Sequence, residues 1–183
     1  MDFTKFVKIF RIMRVYLIGY MAAGKSRLGK DLAEQTGFDF IDLDDLFEER
    51  YRISIIDFFD KYNEEIFRKL EQEILLETKY NDHSIISTGG GTPCFFDNMQ
   101  FIRDNGTSVY IRVSPSGLSS RLLSIRRKRP LLKDLPPLEL EPFIVQQLEE
   151  REHFYLLADH IVDGPDVDPK EIIRLIPGLS GSR

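Results

Sequence analysis

The sequence predicts an α/β fold built on a mainly parallel sheet. Five short β-rich runs alternate along the chain with segments of helical spacing, and a glycine-rich turn joins the first run to the first helix. The chain has 183 residues, 42% of them hydrophobic, which suits one domain with a substantial core. Neither an internal repeat nor a low-complexity linker divides the sequence.

The individual elements follow from periodicity, caps and glycine stops. Strands are predicted over residues 15–18, 38–41, 84–87, 109–113 and 160–162. Helices are predicted over 25–36, 43–50, 55–62, 95–105 and 141–158. Three more helices are predicted to begin after a cap at Asn63, at Pro115 and at Pro169. The basic and then proline-rich stretch 126–140 is predicted to be a loop, and 178–183 a frayed tail.

Composition narrows the possible partners. The net charge is −5, from 25 basic and 30 acidic residues, which argues against a general nucleic-acid binder. No apolar run approaches the roughly 20 residues that a membrane-spanning helix requires. Cys94 is the single cysteine, which rules out an internal disulfide and favours a reducing compartment.

The first twelve residues alternate aromatic and basic side chains and lack the apolar centre of a secretory signal. A targeting or membrane-surface segment is one interpretation of them. We predict instead a dispensable extension, with Met13 as a natural start just before the first strand.

The segment from Gly19 to Ser26 matches the phosphate-binding pattern G-x-x-x-x-G-K-[ST]. It also lies between a predicted strand and a predicted helix, which is the context that the pattern requires. Backbone N–H groups of such a loop point at phosphate oxygens, Lys25 would neutralise the phosphate charge, and the Ser26 hydroxyl would ligate Mg²⁺. The pattern predicts nucleotide binding but does not identify an acceptor.

Asp42, Asp44 and Asp45 follow the second strand. Ligands of open α/β sheets bind at the carboxyl ends of the strands, so Asp42 and Asp44 are expected beside the phosphate loop. In an extended segment both side chains would project to one side, one toward Mg²⁺ and the other toward an acceptor hydroxyl. The alternative is that the acids cap the next helix, and we assign Asp45 to that role.

Arginines and glycines suggest an anion site. Arg68 and Glu71 are neighbours on a helix and form either a solvated ion pair or an oriented grip for a substrate carboxylate. Gly89-Gly90-Gly91 follows the third strand, where it either allows close backbone approach to a ligand or forms a flexible turn. The basic run 126–133 is a nucleic-acid patch, a solvated face or a lid, and Arg151 is a substrate arginine or a surface residue.

In order and spacing, these segments resemble the shikimate kinase family. The resemblance runs from about residue 15 to 176 and includes G-Y-M-A-A-G-K-S, F-I-D-L-D, S-I-I-D-F-F, F-R-K-L-E, the triple glycine, R-P-L-L and Arg151 followed by Phe154-Tyr155. It implies a three-layer P-loop kinase fold, related to nucleoside monophosphate kinases, with a five-stranded parallel sheet. It also implies transfer of the ATP γ-phosphoryl group to the 3-hydroxyl of shikimate, in aromatic amino-acid synthesis.

The same resemblance implies an organisation and a set of roles. An extension (1–13) would precede a kinase domain (14–177) with a substrate-binding region at about 44–80 and a lid at about 126–140, followed by a tail (178–183). Asp44 would be the base, Lys25 and Arg129 would act on the phosphates, and Asp42 would hold Mg²⁺ with Ser26. Arg121 would stack on adenine. The implied ATP site comprises Gly19, Ala22, Ala23, Gly24, Lys25, Ser26, Arg27, Arg121 and Arg129, and the implied shikimate site comprises Asp44, Arg68, Gly90, Gly91 and Arg151.

Family members are cytoplasmic and usually monomeric, so this chain is expected to be a cytoplasmic monomer that binds neither nucleic acid nor membranes. It departs from the family pattern in three places. Alanine replaces the usual glycine at Ala22, where one methyl is tolerated if φ stays negative. Arg27 replaces a frequent threonine, and Thr92-Pro93 replaces a smaller pair. Two alternatives are a related kinase for an acceptor such as gluconate, and a nucleotide-binding regulatory protein without turnover.

Overall fold

A computed structural model describes residues 13–125 and 135–179 of the chain. Its centre is one parallel sheet of five strands, in the order β2-β3-β1-β4-β5. The strands are β1 (Arg14–Ile18), β2 (Asp39–Asp42), β3 (Ser84–Ser87), β4 (Thr107–Arg112) and β5 (His160–Asp163). The predicted α/β fold with a parallel sheet is confirmed, with small shifts at the strand ends.

Helices flank the sheet. They are α1 (Lys25–Thr36), α2 (Leu43–Tyr51), α3 (Ile55–Lys61), α4 (Glu64–Glu77), α5 (Asn98–Asn105), α6 (Pro115–Ile125), α7 (Leu140–Tyr155) and α8 (Pro169–Leu175). Short 3₁₀ turns occupy Thr78–Tyr80, Thr92–Cys94 and Pro137–Glu139. The helix predicted over 95–105 therefore begins later, because a 3₁₀ turn precedes it. Of the predicted loop over 126–140, residues 126–134 lie outside the described residues.

Side-chain caps fix several helix starts. The Asn63 side chain accepts a hydrogen bond from the Ile66 N–H at 2.9 Å, and Asp168 accepts one from the Lys170 N–H at 2.9 Å. Such caps satisfy N–H groups that the first helical turn leaves without a partner. Asn63 therefore starts α4 as predicted, and α4 carries Arg68.

The core lies along the central strands. Residues 15–18 of β1 are fully buried. Helix α1 packs against β1, β2 and β3 and also contacts α8. Leu179, predicted to lie in a frayed tail, is only 1% exposed and belongs to the core. Within residues 13–125 and 135–179, no helix combines the length and the apolar character needed to cross a membrane.

Candidate active site

The phosphate-binding loop lies at the carboxyl end of β1, the middle strand of the sheet. Gly19 has φ +139° and Gly24 has φ +104°, both in the region that favours glycine. A Cβ at Gly19 would lie 2.8 Å from the Ile111 carbonyl oxygen, so this position also excludes a side chain by contact. The Lys25 Nζ donates to the carbonyl oxygens of Gly19 at 2.8 Å and Tyr20 at 2.9 Å, which holds the ammonium beside the loop.

Ala22 corrects one expectation. From the sequence, the extra methyl is expected to be tolerated only if φ is negative, but φ at Ala22 is +63°, in the left-handed region. An L-residue there meets a clash between its Cβ and the following carbonyl oxygen. The loop therefore keeps the backbone shape of a glycine at this position while carrying an alanine.

Asp42 and Asp44 occupy different environments. The extended backbone ends at Asp42, since α2 begins at Leu43, so the two side chains are not on one extended segment as predicted. Asp42 is the cap of α2, and its Oδ1 accepts a hydrogen bond from the Asp44 N–H at 3.0 Å. The capping alternative thus holds for Asp42, while Asp44 lies in the first helical turn and lines the cavity in front of the loop.

That cavity has a volume of about 350 Å³ and gathers the carboxyl ends of three strands. It brings Asp44 together with Lys25 and Ser26, as the sequence predicted. Its lining residues are Met21, Ala22, Gly24, Lys25, Ser26, Arg27, Asp44, Ser87, Thr88, Gly90, Arg121 and Ser124.

Ser87 and Thr88 are among the lining residues that sequence reasoning missed. Ser87 ends β3 and Thr88 follows it, and the Ser87 Oγ lies 3.3 Å from the Ser26 Oγ. Their position at a strand end, directly before the three glycines, was a signal that could have found them. In the sheet register Ser87 pairs with Asp42.

The Arg68–Glu71 pair is buried, which excludes the interpretation as a solvated surface pair. The two side chains are 7% and 5% exposed, and Arg68 Nη1 donates to Glu71 Oε2 at 2.7 Å. Arg68 Nε and Nη2 donate to the more exposed Glu64 at 3.1 and 2.9 Å. Burial opposes the charged form of Arg68, but Glu71 and Glu64 outweigh it and raise the pKa of Arg68.

The triple glycine makes room for these groups. A Cβ at Gly90 would lie 2.9 Å from the Met21 backbone nitrogen, and a Cβ at Gly91 would lie 2.7 Å from Arg68 Nη2. Gly90 therefore permits contact with the phosphate-binding loop, and Gly91 permits contact with the guanidinium of Arg68. The Phe95 ring lies 4.3 Å from Arg68 Cζ and covers the guanidinium.

Arg151 of α7 lies on the same side of the site. Its Cζ is 5.9 Å from the centre of the Tyr20 ring in the phosphate-binding loop. Burial raises the pKa of the Cys94 thiol to about 11, and Arg151 and Arg68 both counteract that rise. The helices that carry these two arginines, α7 and α4, both contact the 3₁₀ turn Thr92–Cys94.

Arg121 lies beside the phosphate-binding loop. Its Nη1 donates to the Ala22 carbonyl at 3.2 Å, and its Nη2 donates to the Pro165 carbonyl at 2.8 Å. Asp166 accepts hydrogen bonds from Arg121 at 3.0 Å and from the exposed Arg27 at 3.4 Å. Sequence reasoning missed the loop after β5 that supplies Pro165 and Asp166. The predicted lid arginine, Arg129, lies outside the described residues.

A preformed cage of protein ligands for a metal is absent from the part of the chain that the structure describes: it contains no group of three or more His, Cys, Asp or Glu side chains placed to hold one. Mg²⁺ keeps several waters and binds through one or two protein groups plus substrate phosphates, so it requires few protein ligands. The Ser26 hydroxyl in the cavity is one such group.

Comparisons with known proteins identify the family. A family model for shikimate kinase matches residues 21–177. The shikimate kinase of Parabacteroides distasonis is 45% identical over 150 residues, covering 82% of this chain and 87% of that protein. The shikimate kinase of Phocaeicola vulgatus is 41% identical over 161 residues, covering 88% and 92%.

Solved structures agree with these matches. The 1.7 Å crystal structure of shikimate kinase from Bacteroides thetaiotaomicron superposes with a TM-score of 0.85 at 37% identity, covering 90% of this chain and 98% of that one. Shikimate kinase from Acinetobacter baumannii in complex with shikimate gives 0.81 at 26% identity, covering 90% of each chain. With the phosphate-binding loop, the facing carboxylate and the fold all in agreement, the chain belongs to the shikimate kinase family.

Proposed function

We propose that this protein transfers the γ-phosphoryl group of ATP to the 3-hydroxyl of shikimate, giving shikimate 3-phosphate and ADP. The observation that carries the proposal is that Asp44 lines the same cavity as Lys25 and Ser26 of the phosphate-binding loop. A carboxylate that faces a phosphate cradle can accept the proton of an alcohol positioned between the two.

In the proposed reaction the acceptor oxygen attacks the γ-phosphorus as the bond to the ADP oxygen breaks. Asp44 takes the hydroxyl proton, and Lys25 offsets negative charge on the phosphates. The backbone N–H groups from Gly19 to Ser26 hold the phosphates, together with the N-terminal end of α1. Ala22, Ala23 and Gly24 of the loop and Arg27 in the first turn of α1 would complete this ATP site.

The far end of the acceptor is a carboxylate, for which we propose Arg68 and Arg151 as partners. The guanidinium of Arg68 is already oriented by Glu71, so little side-chain entropy is lost when it grips an anion. The Arg68 edge that contacts Glu64 would exchange one carboxylate for another when the substrate binds. Gly90 and Gly91 would contribute close backbone contacts.

We place the adenine beside Arg121, which is tied to the loop after β5. When bound, Mg²⁺ would neutralise charge on the β- and γ-phosphates, with Ser26 as its protein ligand. Asp42 would assist through a metal-bound water, because its cap to α2 uses only Oδ1. Arg129 would contribute positive charge from the lid.

We further propose that residues 14–177 form the kinase domain, with a substrate-binding region at about 44–80 and a lid at about 126–140. The protein is expected to act as a cytoplasmic monomer without nucleic-acid or membrane partners. The net charge of −5 supports the exclusion of nucleic acid. Size-exclusion chromatography with light scattering would test the monomer, and a mass of twice 21.3 kDa would contradict it.

A coupled ADP-release assay tests the function. ATP, Mg²⁺ and the full chain are combined with shikimate, with gluconate, or with no acceptor. We expect ADP release that depends on shikimate and a product with one added phosphoryl group by mass spectrometry. ADP release with gluconate but not with shikimate would indicate a kinase for gluconate-like acceptors. ATP binding without ADP release on any acceptor would favour a regulatory protein.

A further inference from the structure

We propose that Thr92 is a positioning residue for the acceptor carboxylate, acting through Glu71 on Arg68. The inference rests on the proposed function, because it concerns the part of the site that would grip shikimate. Thr92 is 0% exposed, so its side chain acts only through the protein groups that surround it.

The Thr92 hydroxyl and Arg68 hold the Glu71 carboxylate from two directions. Thr92 Oγ1 donates to Glu71 Oε1 at 2.6 Å, and Arg68 Nη1 donates to Glu71 Oε2 at 2.7 Å. Hydrogen bonds to an ionised carboxylate are short and stronger than those between neutral groups. With one donor on each oxygen, the plane of the carboxylate is fixed, and that plane sets the orientation of the guanidinium.

Thr92 is itself held at both ends of its backbone. Its N–H donates to the Gly89 carbonyl at 3.2 Å, and its carbonyl accepts from Asn98 Nδ2 at 2.8 Å. The Asn98 Oδ1 accepts from Gln72 Nε2 of α4 at 3.0 Å. A polar network therefore links α4 to the 3₁₀ turn, and Thr92 is its connection to Glu71.

The space around Gly89 shows why the hydroxyl matters there. A Cβ at Gly89 would lie 2.6 Å from Glu71 Oε1, 2.8 Å from Thr92 Oγ1 and 3.1 Å from Asp44 Oδ1. The Glu71 and Asp44 carboxylates thus lie around one backbone position and repel each other. A donor on Glu71 Oε1 stabilises the orientation that serves Arg68 in spite of this repulsion.

The test compares Thr92→Val, which keeps the β-branched shape, with Thr92→Ser, which keeps the hydroxyl. Thr78→Val is the matched control, because Thr78 is also buried, adjoins the other end of α4 and donates to the Leu75 carbonyl. Each variant is assayed for kcat and for KM of shikimate and of ATP, with shikimate affinity measured by calorimetry and stability by thermal unfolding.

We expect Thr92→Val to raise KM and Kd for shikimate about five- to tenfold, because a buried carboxylate oxygen loses its donor. The KM for ATP should stay within about twofold of wild type, since Thr92 does not line the phosphate cavity. Thr92→Ser should retain wild-type values. Thr78→Val should lower the unfolding temperature without changing either KM.

Unchanged shikimate affinity in Thr92→Val, beside an active wild type, would overturn this inference and leave the proposed function intact. Equal rises in both KM values would also overturn it, because they would indicate a general structural defect. A wild-type protein that releases no ADP with shikimate would overturn the proposed function, and the inference with it.

Discussion

Replacing Arg68 with methionine should reveal two separable losses, one of stability and one of substrate affinity. Arg68 and Glu71 form a buried pair, with side chains 7% and 5% exposed. Removing one partner leaves a buried charge without its counterion, which costs roughly 3–5 kcal/mol. For a chain of this size, that corresponds to a fall in unfolding temperature of roughly 6–20 °C.

The same substitution removes a charged hydrogen-bond donor from the proposed carboxylate grip. Such a bond contributes about 1.5–3 kcal/mol, so the KM for shikimate should rise roughly 10- to 150-fold. The KM for ATP should change little, since Arg68 does not line the phosphate cavity. Steady-state ADP release with each substrate varied in turn, together with thermal unfolding, measures both effects.

A double variant separates the two losses. Arg68→Met with Glu71→Gln removes the buried charge while leaving an acceptor for the Thr92 hydroxyl, so most of the stability should return. The weak shikimate binding should persist. Arg50→Met is the control, because Arg50 pairs with Glu77 at the surface, where the side chains are 37% and 54% exposed. A double variant that recovers normal shikimate affinity, or a single variant that weakens ATP equally, would refute the reasoning.

Two further predictions concern the backbone of the loop and the chain start. Ala22→Gly should raise the free energy of unfolding in urea by about 1 kcal/mol, because it relieves the strain of an alanine in the left-handed region. Ala23→Gly, the control, should lower it. A loss of stability in Ala22→Gly would contradict the strain argument. A chain beginning at Met13 should fold and retain activity, whereas a chain beginning at Val15, which lacks the buried Arg14, should not fold. Failure of the chain that begins at Met13 would show that residues 1–12 are required.

Much of the fold followed from local signals. The glycine turn, the helical spacing of α1 and the Asn63 cap act within a few residues, so the sequence alone was sufficient to place them. Asp42 shows the limit of such reasoning. An acid at the junction of a strand and a helix serves equally as a cap or as a ligand, and the residue at which the extended backbone ends decides which side chains share a face.

Burial and long-range contacts account for the parts of the site that the sequence could not predict. An Arg–Glu pair three residues apart has the same sequence pattern on a surface and in a core. Only the packing of Gly91 and Phe95 against Arg68 shows that this pair is buried. Thr92 departs from the family pattern, and the sequence alone assigns it no chemical role. Its hydrogen bond joins positions 21 residues apart in the chain, which no local pattern could predict.

The most direct test of the central claim is the turnover number of Asp44→Asn with saturating ATP and shikimate. Asp45→Asn, a change of the neighbouring exposed carboxylate, is the matched control. We predict that kcat falls at least about 100-fold in Asp44→Asn, with unfolding temperature and both KM values near wild type, while Asp45→Asn stays active. Wild-type turnover in Asp44→Asn would contradict the claim that this carboxylate accepts the proton of the incoming hydroxyl.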